Sequence, residues 1–308
     1  MKSLKNIGNI FQIQSPLKAS TVFYGGAMAI MAAFLFSCLN VAIRYADPYL
    51  TIWHMIFGRC VLGTIFLLLL AKSTGIQLSG QKKKTLVIVS LTGTVVIFCL
   101  TYALLRIPLF QALILFYTYP VVAALISPWL TADSNSLRHW ACIALAFIGT
   151  TLTLWSGQSG TLALNIGHIS GLAASVSMGL TMTLIRRVSD VNSPLTPIFY
   201  ISVMGMLVSL IPLFHPNVGF SIPLPGVAWL FAIGLFAVLA HIFSNKGLSY
   251  ISSAKVGSIS MLEVFFSAIY GYILFSEPLG WSTVAGGLLI ILAALGLIQD
   301  SGPVPASR

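Results

Sequence analysis

The chain holds 308 residues, 57% of them hydrophobic and only 7% charged, against the roughly 25% charged residues with which a soluble domain solvates its surface. No water-facing shell can be built from that composition, and the formal net charge of +10 comes from basic residues scattered between apolar runs, which speaks for membrane topology and against nucleic acid as a partner. In hydrocarbon every backbone N–H and C=O must be satisfied within the chain, so helices or a closed barrel remain; continuous apolar runs of about twenty residues predict an all-α integral membrane protein.

Residues 1–21 contain Lys2, Lys5, Lys18, Asn6, Gln12 and Gln14, with no apolar core leading to a small-residue cleavage site, so they read as a cytoplasmic segment and not a secretory signal. Apolar runs punctuated by Gly, Pro and charge then predict ten transmembrane helices: 22–43, 49–71, 85–105, 111–130, 138–155, 167–185, 196–214, 226–245, 255–275 and 280–298. In the first, Ser37, Asn40 and Arg44 follow at i, i+3 and i+7, a polar face that serves either cargo contact or interhelical packing. Arg59 lies about ten residues into the second span, too deep for easy snorkelling; it either neutralises an anionic substrate, pairs with Glu263, or plays a structural part.

Tyr117, Tyr119 and Pro120 fall in the fourth span, where Pro120 leaves a backbone carbonyl unpaired; the alternatives are a cavity wall and a kinked aromatic packing face. In the eighth span His241 and Asn245 stand at i and i+4 with Ser244 beside them, either a satisfied interhelical hydrogen-bonding patch or a proton relay. Glu263, the one acid at such depth, is expected near the middle of the ninth span on a face with Ser260, Ser267 and Gly271. It is either a proton-carrying or amine-binding carboxylate, or a buried carboxyl held by neighbouring hydroxyls. Glu277 reads as an interfacial cap at the outer end, and Gly149, Gly286, Gly287 and Gly296 as points of close helix packing. Cys38, Cys60, Cys99 and Cys142 all sit in apolar runs without C-x-x-C spacing, so neither disulfides nor a metal site are indicated, and no cofactor is expected.

With a cytoplasmic amino terminus, the inner segments collect Lys2, Lys5, Lys18, Lys72, Lys82, Lys83, Lys84, Arg138, Arg186, Arg187, Lys246, Lys255 and Arg308, leaving only Arg44 and Arg106 outside and Arg59 within a span. This positive-inside bias predicts both termini in the cytoplasm of a multi-pass inner-membrane protein. A shift of about 142–144 residues brings Ala32 onto Ala174, Arg44 onto Arg186 and Asp133 onto Glu277. The domains expected are therefore a five-helix repeat over 22–157, a second over 158–298 and a cytoplasmic tail over 299–308. Five spans per repeat is odd, so the two repeats have opposite orientation, with a cavity expected near the midplane.

The run Met261-Leu-Glu-Val-Phe-Phe-Ser-Ala-Ile-Tyr-Gly-Tyr-Ile-Leu-Phe-Ser-Glu-Pro-Leu, then Gly286-Gly-Leu-Leu-Ile-Ile-Leu-Ala-Ala-Leu-Gly, resembles the second-repeat signature of EamA-type transporters of the drug/metabolite superfamily. Tyr117-Thr-Tyr-Pro-Val-Val-Ala-Ala-Leu-Ile is similar to the matching first-repeat stretch, and Phe57-Gly-Arg59 to the family's arginine in the second helix. The resemblance covers about residues 22–298 and implies a secondary transporter of metabolites, not an enzyme, across a bacterial inner membrane. The small multidrug-resistance relatives couple to protons through an acid in the first helix; Val22 to Ile43 holds none.

Gly157-Gln158-Ser159-Gly160 spells a G-x-S-G that an intramembrane serine hydrolase with His241 as base would need. Ser159 falls in a Gly/Ser-rich loop instead of beginning a membrane-embedded helix, so this reading is the weaker. A lipid-intermediate flippase of the same superfamily is the other alternative. The expected carrier moves an amino acid-like or related polar or amphipathic compound by alternating access, with a proton as the candidate coupling ion, contacts membrane lipids, and acts as a monomer or homodimer.

Overall fold

The computed structural model describes residues 19–131, 137–156, 161–162, 165–251, 253–277 and 279–300. The helices in chain order are α1 (Ala19–Ala46), α2 (Ile52–Thr74), α3 (Lys83–Arg106), α4 (Leu109–Phe116), α5 (Tyr119–Thr131), α6 (Leu137–Leu154), α7 (Ile166–Val188), α8 (Leu195–Leu213), α9 (Leu224–Tyr250), α10 (Ser253–Ser260), α11 (Leu262–Phe275) and α12 (Trp281–Asp300). Between α6 and α7 a two-residue ladder pairs Trp155–Ser156 (β1) with Thr161–Leu162 (β2), antiparallel. Ser159 and Asp133 lie outside the described residues.

Among the described residues eight helical stretches are long and apolar enough to cross a bilayer, and Trp140–Leu152 and Trp281–Ala293 are shorter apolar helices. Their outward faces are hydrocarbon: Ile65, Leu68 and Leu69 on α2, and Val87, Ile88, Leu91 and Val95 on α3, are all exposed at helical spacing. Water cannot solvate such stripes, which makes this a multi-pass α-helical membrane protein.

Two expected spans are each broken in two. The fourth divides at Tyr117–Thr118 into α4 and α5, and the ninth divides at Met261 into α10 and α11. Pro120 explains the first break: it has no N–H to offer the carbonyl of Phe116, and Thr118 turns back to bond Leu115 instead. The second break carries no proline.

By backbone contacts the described residues form two compact units, one of residues up to Ser90 with Val191–Glu263, the other of Leu91–Asp190 with residues from Val264 on. In the first unit, α1 runs antiparallel to α9: Gly25 lies against Tyr250, the Phe36 ring is edge-on to His241 at 5.2 Å, and Tyr45 stacks on Trp229 at 5.3 Å. Next to this pair α2 runs parallel to α9, with Gly58 against Leu230 and Leu62 against Gly234; a methyl at either glycine would overlap its partner. A further apolar cluster of Leu67, Ala71, Leu78 and Leu195 joins α2 to α8. Beyond it, the Asn192 side chain both accepts from the Gln81 N–H at 2.6 Å and donates to the Gln81 carbonyl at 3.1 Å, tying down the loop that carries Lys82–Lys84.

In the second unit α12 lies antiparallel on α6 and α7 packs along α4 and α5, where Thr118 and Ser175 share a hydrogen bond of 2.6 Å. One end of this unit is fastened by polar groups. His168 caps α7 through Asn165 and faces Gln111 at 3.3 Å, and Gln111 donates to Thr283 at 3.4 Å. The buried carboxylate of Glu277 accepts from the Leu109 N–H at 2.9 Å, so it caps α4.

Candidate polar site in the first unit

Four of the sequence-derived site residues, Asn40, Arg59, His241 and Glu263, come together in the first unit, the first three because α1, α2 and α9 pack along one another there. Asn40 projects from α1 and donates through Nδ2 to Glu263 Oε1 at 2.8 Å, with both residues buried. A buried carboxylate is tolerated only with such a charge-assisted partner. Arg59, the eighth residue of α2, is half-buried and lies within electrostatic range of both Glu263 and His241. Its guanidinium forms no hydrogen bond or salt bridge with any described residue. His241, on α9, has Phe36 against its ring, and Asn245 follows one turn later, half-buried and with no side-chain hydrogen bond to a described residue.

Glu263 lies near the middle of the Lys255–Phe275 span, as expected. Within that span it stands in the first turn of α11, two residues past the break at Met261. The interruption at Met261 therefore separates it from Ser260, whose hydroxyl donates to Val256 of its own helix at 2.9 Å. Of the expected stripe, Glu263 and Ser267 stand one turn apart on α11, while Ser260 precedes the break. Ser267 is fully buried with an unpaired hydroxyl, and it belongs with the second unit. Ser37 is fully buried as well, and its hydroxyl is spent on the Phe34 carbonyl at 2.7 Å; such a back-bond relieves a polar group in an apolar helix and presents nothing to a cavity. Tyr117 and Tyr119 lie in the second unit, packed with Phe116 as an aromatic trio with centroids 5.5–6.0 Å apart.

An apolar groove of the second unit, about 600 Å³ between α4, α11 and α12, is lined by residues including Phe110, Phe265, Ile269 and Tyr272, none of them charged. The polar cluster of the first unit is thus made of Glu263, Asn40, Arg59 and His241. Reading the sequence anticipated a kink at Pro120 and missed the break at Met261. The available signal was the repeat itself, since Tyr117 shifted by 144 residues falls on Met261.

A helical membrane protein with an interrupted helix that delivers a buried acid to a polar cluster has the build of a transporter. The chain belongs to the EamA-like transporter family, whose model matches it twice, over residues 23–155 and 165–299. It is 27% identical over 278 residues to the pseudopaline exporter CntI of Pseudomonas aeruginosa, covering 89% of this chain and 95% of that one. It is also 25% identical over 205 residues to an S-adenosylmethionine uptake transporter of Rickettsia felis, covering 65% of this chain and 66% of that one. A solved crystal structure matches with a TM-score of 0.61 at 16% identity, covering 88% of this chain and 95% of its own, which shows a shared fold. The chain is therefore a membrane transporter and not an enzyme.

Proposed function

We propose that the protein is a secondary active carrier that moves a small polar or amphipathic, amino acid-like metabolite across the inner membrane by alternating access, with Glu263 as its cargo-binding or proton-coupling carboxylate. The observation that carries this is the buried Asn40–Glu263 bond of 2.8 Å beside the interruption at Met261. A helix interruption inside a membrane is tolerated where it is covered by protein or lines a cavity, and an acid beside it is a functional group by default. Relatives named for export of one compound and uptake of another support a small-molecule cargo.

In this reading ten spans form two inverted five-helix repeats, 22–157 and 158–298, with both termini cytoplasmic. Two features support it besides the doubled family match. In the first unit α1 meets α9 at Phe36–His241 and Tyr45–Trp229; in the second α3 meets α7 at Ala103–Gly171 and Thr92–Thr181. Moving α1 forward and α9 back by the repeat length carries one register onto the other within a helical turn. The breaks at Tyr117–Thr118 and Met261 stand one repeat apart in the same way.

The test starts from metabolites whose distribution differs between a deletion strain and its parent. Protein is then reconstituted and uptake is measured across an imposed pH gradient at equal insertion. Glu263→Gln should insert normally and lose the pH-dependent flux, with Glu263→Asp retaining part of it. Unchanged rate and pH dependence in Glu263→Gln would make the carboxylate structural.

A further inference from the structure

A guanidinium carries five N–H donors in a rigid fork and stays protonated throughout the physiological range. Within a membrane such a group persists only where it meets a counter-ion, water or a ligand. Arg59 has no hydrogen bond or salt bridge to a described residue, yet it is only half-buried. The acid in its electrostatic range, Glu263, already gives one oxygen to Asn40. Nor is the arginine free to leave: adjacent Gly58 sits against Leu230 and Leu62 against Gly234, which seats this stretch of α2 on α9. At the eighth residue of α2 its backbone lies about 10 Å inside the helix start, so the donors are held at depth.

We propose that Arg59 is the anion receptor of the carrier and that the cargo bears a carboxylate, held bidentately by this guanidinium, on the same molecule as a donor or ammonium group received by Glu263 and Asn40. The inference rests on the carrier reading above and narrows it to zwitterionic or amino acid-like carboxylates. Compounds that are only cationic leave the guanidinium unanswered and place like charge beside it. Lysine would be a poor replacement, because a point charge does not match the planar carboxylate fork.

Two measurements test this. The full chain in nanodiscs is treated with phenylglyoxal, an arginine-selective reagent, and modification of Arg59 is read by peptide mass spectrometry in sodium acetate or sodium chloride at equal ionic strength. Arg59 should react, and acetate should slow it severalfold more than chloride; an unreactive Arg59, or one that acetate does not protect, overturns the inference without recourse to any variant. Separately, metabolites inside and outside cells expressing the parent, Arg59→Gln or Arg59→Lys at equal membrane abundance are compared. The compounds shifted by the parent should be carboxylates, with transport reduced about tenfold or more in Arg59→Gln and partly retained in Arg59→Lys. Shifted compounds lacking an acidic group, or full transport by Arg59→Gln, overturn this inference and leave the carrier reading standing. A parent protein that shifts no metabolite overturns both.

Discussion

Removing the Glu277 side chain should cost the second unit a measurable part of its stability. The carboxylate is 8% exposed and accepts from the Leu109 N–H at 2.9 Å. That N–H belongs to the first turn of α4, where no intrahelical acceptor exists. A hydrogen bond to a charged group contributes about 1.5–3 kcal/mol, and an anion at a partly buried helix start adds roughly 0.3–2 kcal/mol. Glu277→Ala should therefore lose about 2–4 kcal/mol, while Glu277→Gln, which keeps an acceptor and loses the charge, should lose roughly half as much. Unfolding of purified protein in mixed micelles, titrated with sodium dodecyl sulfate and followed by tryptophan fluorescence, reads the difference. An alanine variant within about 0.5 kcal/mol of the parent, the range of an uninvolved surface position, would refute the cap.

Gly149 meets α12 backbone to backbone: a methyl there would stand 2.7 Å from the Gly286 carbonyl and 2.9 Å from Ile290 Cγ1. Gly149→Ala should thus cost about 1–3 kcal/mol in the same unfolding assay, and a neutral result would mean that the two helices part easily. For orientation, reporters fused at Gln81 and at the carboxyl terminus should read cytoplasmic and one at Ser159 external, and neutralising Lys82, Lys83 and Lys84 together should raise the fraction with the opposite pattern. A reversed reading at any of the three sites in the parent breaks the ten-span arrangement.

Composition pointed to a membrane protein, because a chain with 7% charged residues has hydrocarbon as its only compatible surroundings, and run length then favoured helices over a barrel. Run lengths located the helices, with ends displaced by a few residues; the largest displacement is at α9, which continues to Tyr250 because Gly247 packs on Gly25 and Ala29 of α1. Residue rarity pointed to Glu263, Arg59 and His241, since an ionisable group at depth stands out against its apolar neighbours. What periodicity could not supply was the interruption at Met261. Without a proline to mark it, Glu263 read as a mid-helix residue sharing a stripe with Ser260 and Ser267. The hydroxyls of Ser37 and Ser260 each donate to the preceding turn of their own helices, a local use that polarity at a helical position does not announce in the sequence.

On the inverted-repeat reading the two interruptions have the same place and opposite chemistry. Past the first stand Tyr119 and Pro120, packed among Phe116 and Tyr117, with Thr118 bonded to Ser175 so that the exposed backbone is closed off within the protein. Past the second, at the position equivalent to Tyr119, stands Glu263, turned to Asn40 and within range of Arg59. Duplicated geometry is what alternating access requires, because each half must be able to take up the conformation of the other. Duplicated charge would be harmful: a second buried acid would need its own partner and would compete for the same proton or ammonium group. On the proposed carrier reading, one charged and one aromatic interruption would meet both conditions, with cargo recognition proposed at Glu263 and not at Tyr119.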